Sequence, residues 1–273
     1  MFQPEHGENF GEYLCKKTIN KMGFGLNNYS NQKPIIGRLD YVLTAVGGYF
    51  NMRIYRRELK DRFKKWYIWG NGVDCNPKPN GRSRVPYRVV RDQCVITLLR
   101  GPLTKQYYDI RGDVLLGDPG YLASYFFDIP EEPKRNVLIT HHYDTEKKNM
   151  VGIDVELSCL MKSDKNGSID TKFFQILKNI VNANIVLTSS MHVAVVAYSY
   201  GVPFAMVSKR ETDLAREWKW YDMLQNIGVT EEIRLCESVE EGLAWWNSVK
   251  HQIKPITIDY QEKIIDSFPF KSE

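Results

Sequence analysis

The chain has little cysteine: five residues among 273. Cys15, Cys75, Cys94, Cys159 and Cys236 are scattered and odd in number, and no two have the spacing of metal ligands. That excludes a disulfide framework and a zinc-binding module, and leaves packed, reduced thiols with no metal site expected. Long apolar runs are missing too, so no segment is expected to span a bilayer. The opening MFQPEHGENF lacks a basic stretch followed by an apolar one. No secretory signal is expected, and the chain reads as cytoplasmic. Neither a Walker A loop nor a GxGxxG fingerprint occurs, which removes nucleotide sites of those types. Internal repeats and low-complexity tracts are absent, which removes solenoids and propellers.

What is present is a globular composition, 43% hydrophobic and 26% charged, able to bury a core. The net charge of +4 is mild but unevenly placed. Residues 53–65 carry Arg53, Arg56, Arg57, Lys60, Arg62, Lys64 and Lys65 against Glu58 and Asp61 alone, and Arg82, Arg84, Arg88 and Arg91 follow. Such a run is either a solvated face or a surface for anionic headgroups and diphosphate-linked acceptors. Trp66, Tyr67 and Trp69 beside it suit a membrane interface at the inner face of the membrane. Nucleic acid is not expected, because no nucleic-acid motif accompanies the charge.

The order of elements is that of an α/β protein. Asn9 caps a helix that presents Phe10, Tyr13, Leu14 and Thr18 and runs to about Met22. Short apolar strands are expected at 41–46, 66–69, 95–99 and 114–116, with an exposed loop over 73–87. Ile129-Pro130-Glu131-Glu132-Pro133 reads as a linker dividing an N-terminal half, 1–130, from a C-terminal half, 131–273. A strand follows at 137–140, an amphipathic helix at 171–182, and helices at 217–227, 239–253 and 258–265, the last expected to cross back. Two Rossmann-like halves facing a cleft is the simplest architecture, with the C-terminal helices packing back.

The most informative stretch is TSSMHVAVVAYSYGVPFAMVS, residues 188–208. Strand, polar turn, helix and strand make a parallel α/β unit, and ligands bind where such strands end. His192 stands at that edge, in the first turn of a helix whose N–H groups favour an anion. Other strands end in similar punctuation: Gly47-Gly48, Trp69-Gly70-Asn71-Gly72, Arg100-Gly101-Pro102, Gly117-Asp118-Pro119-Gly120 and His141-His142. So many in succession suggest a lined crevice. Arg100 offers a planar fork for a carboxylate or phosphate. Structural readings compete: a salt bridge for Arg100, a turn cap for Asp118, core packing for Trp245 and Trp246. Of the adjacent histidines one should face away, and His142 is taken to face in.

LLRGPLTKQYYD, VLLGDPGYLAS, ITHHYDTEKK and VLTSSMHVAVVAYSYGVPFAMVS, in this order and spacing, resemble the polysaccharide pyruvyl transferase family, as do the early NFGEYL and IWGNG. The resemblance runs in patches from Asn9 to about Ser208. It implies a two-domain fold like the GT-B glycosyltransferases. It also implies transfer of a pyruvyl group from phosphoenolpyruvate to two sugar hydroxyls, with no cofactor or metal. The acceptor is a sugar of a surface-polysaccharide precursor, taken as lipid-linked and held by the N-terminal half; the donor site is assigned to the C-terminal half. By resemblance, His192 is a general acid or phosphate binder and Arg100 a donor-anion ligand. Ser189, Ser190, Met191, His142, Asp118, Glu12 and Asn9 complete the substrate contacts. Tyr143 and Asp144 finish the turn after His142. The chain departs from the family at Ser190, where members often have arginine, and at Glu12, where aspartate is commoner. Lys209 and Arg210 are expected to supply the missing charge. Two other functions fit the residues less fully. One is a GT-B glycosyltransferase holding a nucleotide sugar through Glu211, Glu231 or Glu232. The other is a non-catalytic carbohydrate- or membrane-surface-binding protein.

Overall fold

The computed structural model describes residues 8–24, 39–45, 63–73, 87–141, 150–161, 168–207 and 217–270. Among these, two four-stranded sheets form, and every strand pair within each sheet is parallel. The first runs in order β2 (Leu39–Ala45), β3 (Phe63–Asn71), β4 (Cys94–Leu99), β5 (Leu115–Leu116). The second runs β7 (Val155–Ser158), β6 (Arg135–Thr140), β9 (Ala183–Thr188), β10 (Phe204–Met206). A short antiparallel pair joins β1 (Glu8–Asn9) to β8 (Leu160–Met161). The fold is therefore mixed α/β. In the second sheet the chain moves outward from β6 to β7, then returns to the other side of β6 for β9 and β10. The strand order reverses between β6 and β9, and such a reversal opens a crevice at the carboxyl ends of the two strands.

The helices are α1 (Phe10–Lys21), α2 (Tyr87–Gln93), α3 (Pro102–Tyr107), α4 (Ala123–Phe126), α5 (Ile169–Val181), α6 (Met191–Ser199), α7 (Glu217–Asn226), α8 (Val239–Val249) and α9 (Ile258–Asp266). A 3₁₀ turn, Pro119–Leu122, precedes α4. Helix α5 is capped by Ser168 and turns Phe173, Ile176, Leu177 and Ile180 inward, so it is a one-sided surface helix. Helix α6 differs. Met191, Val193, Ala194, Val195, Val196, Ala197, Tyr198 and Ser199 are all buried, and the helix is apolar almost all round. It is packed among α1, α5, the 3₁₀ turn and β9, which its small and β-branched residues permit.

One continuous core runs through both sheets. It joins Trp69 and Leu98 of the first to Val137, Ile139, Ile185 and Leu187 of the second through Tyr121, Leu122, Val193 and Val195. A smaller core on the first sheet contains Trp66, Ile68, Val73, Val89, Val90, Leu99 and Tyr108. The C-terminal segment lies on the N-terminal sheet. Gln261 Nε2 donates to the Tyr121 carbonyl (2.7 Å) and to Ser124 Oγ (2.9 Å). Trp69 Nε1 donates to Ser267 Oγ at 3.0 Å, and the Trp69 and Phe268 rings meet edge to face.

The interfacial role expected of Trp66 and Trp69 is corrected here. Both are 0% exposed. Trp66 fills the smaller core and also donates to Thr44 Oγ1 at 2.9 Å. Trp69, three residues on, faces the opposite side of the strand by ordinary alternation, and a bulge follows: Gly70 adopts φ +83°, a left-handed conformation suited to glycine, and a side chain there would overlap the Pro119 ring. Most of residues 53–65 lie outside the described residues; Lys65 is exposed. Burial makes a stability prediction. Trp66→Ala should lower the free energy of unfolding by about 3–5 kcal/mol in urea melts. A loss below about 1 kcal/mol, together with weaker binding to anionic vesicles, would return Trp66 to the surface role.

Candidate functional site

Four strand ends meet at one place. Arg100 follows β4, Asp118 follows β5 by two residues, His141 follows β6, and Ser189 and Ser190 lead from β9 into α6. The ends of β6 and β9, where the strand order reverses, are tied by the His141 N–H donating to Ser189 Oγ at 2.8 Å. One residue earlier on β9, Thr188 Oγ1 donates to the Ile139 carbonyl at 2.6 Å. Helix α1 arrives with its N-terminus facing the same point. Asn9 caps it by accepting from the Gly11 N–H (2.9 Å), and Asn9 Nδ2 lies 3.5 Å from His141 Nε2.

His192 is at the centre. Its side chain is 13% exposed, and Nε2 stands 3.8 Å from Asp118 Oδ2. A side chain on Gly11 would overlap the imidazole, so the glycine of NFGEYL is the space in which His192 sits. Asp118 is fully buried. Its Oδ1 accepts from the Gly120 N–H at 2.8 Å, which caps the 3₁₀ turn. Its Oδ2 and His192 Nε2, which face each other, have no hydrogen-bond partner among the described residues. Two buried polar atoms left in this way are costly, by roughly 1–3 kcal/mol each.

Arg100 is 1% exposed. Its Nε donates to Asp222 Oδ2 at 3.2 Å, and Nη2 donates to the Val73 carbonyl. Asp222, itself fully buried, also accepts from the Thr104 N–H (3.0 Å) and hydroxyl (2.6 Å). Arg100 is thus half of a buried ion pair, as its structural reading held. Its Nη1 is buried with no hydrogen-bond partner among the described residues.

The charges shift both members of the dyad. Burial above all, then the positive charges of Lys219, Arg100 and His141, push His192 down to about 3. Burial raises Asp118 to about 6, against the lowering effects of the Gly120 N–H and Arg100. At neutral pH the imidazole is neutral, and the carboxylate is ionised within about one pH unit of its pKa.

The other expected residues divide. Ser190 is the N-cap of α6 but makes no side-chain capping bond. Its N–H donates to Thr188 Oγ1, and the Val193 N–H bonds the Ser190 carbonyl, so the anion cradle is narrower than the full first turn. Met191 is corrected: it is buried in the apolar core rather than lining the site. Glu12 is half-buried on the first turn of α1. Burial first, then the charges of Asp118 and Glu12, push the Cys15 thiol up and keep it inert. His142, Tyr143, Asp144, Lys209, Arg210 and Glu211 lie outside the described residues. Glu231 and Glu232 are on an exposed loop after α7, with Glu231 accepting from Gln252. Trp245 is core, and Trp246 packs at a tilt against Phe204. Sequence reading missed Asp222 and Lys219, both on α7. No candidate metal cluster of three or more His, Cys, Asp or Glu residues occurs among the described residues. No helix among them is long and apolar enough to cross a membrane.

The facing His192 and Asp118 at the strand ends of this α/β fold form the candidate site. The sequence profile of the polysaccharide pyruvyl transferases matches residues 3–209, and the chain belongs to that family. No curated protein matches it. A solved structure of an uncharacterized protein from Klebsiella pneumoniae is 12% identical, with a TM-score of 0.48, covering 81% of this chain and 87% of that one.

Two measurements check the site. Gly11→Ala should destabilise the protein by about 1–3 kcal/mol, and most of that cost should vanish in a His192→Ala background, because the overlap is with the imidazole. Additive effects would mean that Gly11 is needed for another reason. The second is pH dependence. A histidine lowered from 6.5 to about 3 contributes stability above pH 6.5 and loses it as pH falls toward 3. Asp118, raised from 3.8 to about 6, acts oppositely, gaining stability as pH falls from 6 to 3.8. The two slopes cancel between pH 6 and 4 in the natural protein. In His192→Gln only the Asp118 slope remains. The stability difference, natural minus variant, should therefore fall by up to about 1.4 kcal/mol per pH unit over that range in parallel melts. A difference that stays flat means that His192 titrates normally.

Proposed function

We propose that the protein transfers a pyruvyl group from phosphoenolpyruvate to two hydroxyls of one sugar in a surface-polysaccharide precursor, forming a cyclic ketal and releasing phosphate. The observation that carries this reading is the facing pair of buried, unpartnered atoms, His192 Nε2 and Asp118 Oδ2, set among the charges of Arg100, Lys219 and His141. Phosphoenolpyruvate brings a carboxylate and a phosphate, and fixed cations in a dry site bind both. Its charge offsets the positive field that holds His192 neutral. The imidazole then takes up a proton more readily and can serve as the acid for the methylene carbon.

The balance of the reaction suits a dyad that holds and returns one proton. Protonation of the methylene carbon by His192 makes a methyl group and leaves C2 electron-poor. The first sugar hydroxyl adds to C2 and gives up its proton to the dyad. The C2–O bond to phosphate then breaks as the second hydroxyl adds, and the second hydroxyl's proton leaves with phosphate. Asp118, close to its pKa at neutral pH, stabilises the imidazolium and can accept a proton in turn.

In this reading the two sheets belong to Rossmann-like halves that divide near residue 130 and face a cleft, as in GT-B enzymes. The sugar enters from the N-terminal half beside Glu12 and Asn9. The basic run at 53–65 contacts anionic headgroups when the acceptor is lipid-linked, at the cytoplasmic face. Incubation with phosphoenolpyruvate and galactose-, glucose- or mannose-type acceptors should release phosphate and add the mass of a pyruvate ketal to one of them. His192→Ala should lower turnover by at least roughly 10²-fold while the melting temperature does not fall. If no acceptor gains mass and phosphoenolpyruvate gives no thermal shift, the reading fails; a shift with a nucleoside diphosphate instead would favour glycosyl transfer.

A further inference from the structure

Part of the positive charge at the site comes from beyond the strand-end motifs. Lys219 belongs to α7, outside the family match at 3–209. This helix is held on two sides, against α3 beside Arg100 and against α6 beside His192. Asp222 is locked by Arg100 and Thr104, and Trp220, Met223 and Leu224 are buried. Residues three and four apart share a helix face, so Lys219 starts one turn before Asp222 and Met223 on the inward face. Long helical side chains lean toward the helix N-terminus. Lys219 is accordingly only half-buried while Asp222 and Met223 are fully so.

Electrostatics agrees with this placement. Of the charges acting on His192, Lys219 exerts the largest effect, ahead of Arg100 and His141, while Asp118 stands opposite at 3.8 Å. The buried Arg100 Nη1 and His192 Nε2, both without hydrogen-bond partners among the described residues, point independently to a ligand.

We propose that Lys219 binds the anionic group of the donor substrate, as the second cation beside the fixed guanidinium of Arg100. The two cations divide the work. Arg100 is immobilised by Asp222 and Val73 and presents one remaining N–H edge. Lys219 carries a compact charge on a flexible stem, a form suited to phosphate. The donor's identity rests on the phosphoenolpyruvate reading; the need for an anion does not.

Calorimetric titration with phosphoenolpyruvate, and separately with inorganic phosphate, tests this on the natural protein, Lys219→Met and Lys219→Arg. His192 is followed by NMR titration in each. Lys219→Met should weaken phosphoenolpyruvate binding roughly tenfold to a hundredfold and move the His192 pKa upward, with the urea midpoint unchanged. Lys219→Arg should stay within a few-fold of the natural protein. Equal binding by the natural protein and Lys219→Met, or an unmoved His192, overturns the role of Lys219 and leaves the donor reading standing. Phosphate binding that depends on Lys219 without any binding of phosphoenolpyruvate overturns the donor reading and leaves Lys219 in place. A natural protein that binds neither anion overturns both.

Discussion

The Arg100–Asp222 pair is the interaction on which the rest of the site depends. Removing a guanidinium and a carboxylate from water costs several kcal/mol per ion, and attraction alone does not repay it without further hydrogen bonds. Here the carboxylate takes the Arg100 Nε, the Thr104 N–H and the Thr104 hydroxyl, and the guanidinium reaches the Val73 carbonyl as well. Two close approaches make room for this. A side chain on Gly72 would overlap the guanidinium, and one on Gly101 would overlap the Asp222 backbone. The RGP motif thus encodes a space as well as a charge. The pair fastens α7 to the end of β4, across 122 residues of chain. Without it Arg100 has no fixed direction and Lys219 no platform.

Everything nearby follows from the cation so installed. Burial first, then the charges of Lys219, Arg100 and His141, keep His192 unprotonated, while the Gly120 N–H and Arg100 moderate the rise that burial imposes on Asp118. Neither shift benefits the empty protein. A neutral imidazole facing a desolvated carboxylate at 3.8 Å, with no hydrogen bond between them, costs stability. In the function proposed above, binding and proton transfer are then one event: an anion that satisfies Arg100 also raises His192 toward a range where it can act as an acid.

Local chemistry was readable in the sequence, and distant packing was not. Asn9 as a cap needs only the first turn of α1. The strand ends at Arg100 and Asp118 were visible because glycine and proline interrupt apolar runs there, and the one at Ser189 because two serines do. The joining of those ends followed from the parallel α/β order. Asp222 and Lys219 carry no such mark: EWKWYDMLQN is an ordinary helix until Arg100 is placed against it. Trp66 and Trp69 misled because basic neighbours say nothing about which face a strand buries, and strand alternation gives the two rings different cores, both of them buried. Strand β7, VELS, is too short and too polar to register as apolar. Met191 sits between two polar site residues in sequence, yet helical rotation turns it into the core.

Packing alone cannot account for His192. Helix α6 is buried on nearly every side, and each other residue in it from Met191 to Ser199 is small or apolar apart from Ser199 and the Tyr198 hydroxyl. A helix selected only for stability would place an apolar side chain in that first turn. Instead it carries an imidazole, opposite a carboxylate whose second oxygen is unsatisfied, in a space left by a glycine of a different helix. Three separate elements, α1, the Asp118 turn and α6, each give up some stability at this one point. Under the function proposed above, a ligand that donates charge and exchanges a proton there would return what all three give up, and that is why the losses coincide.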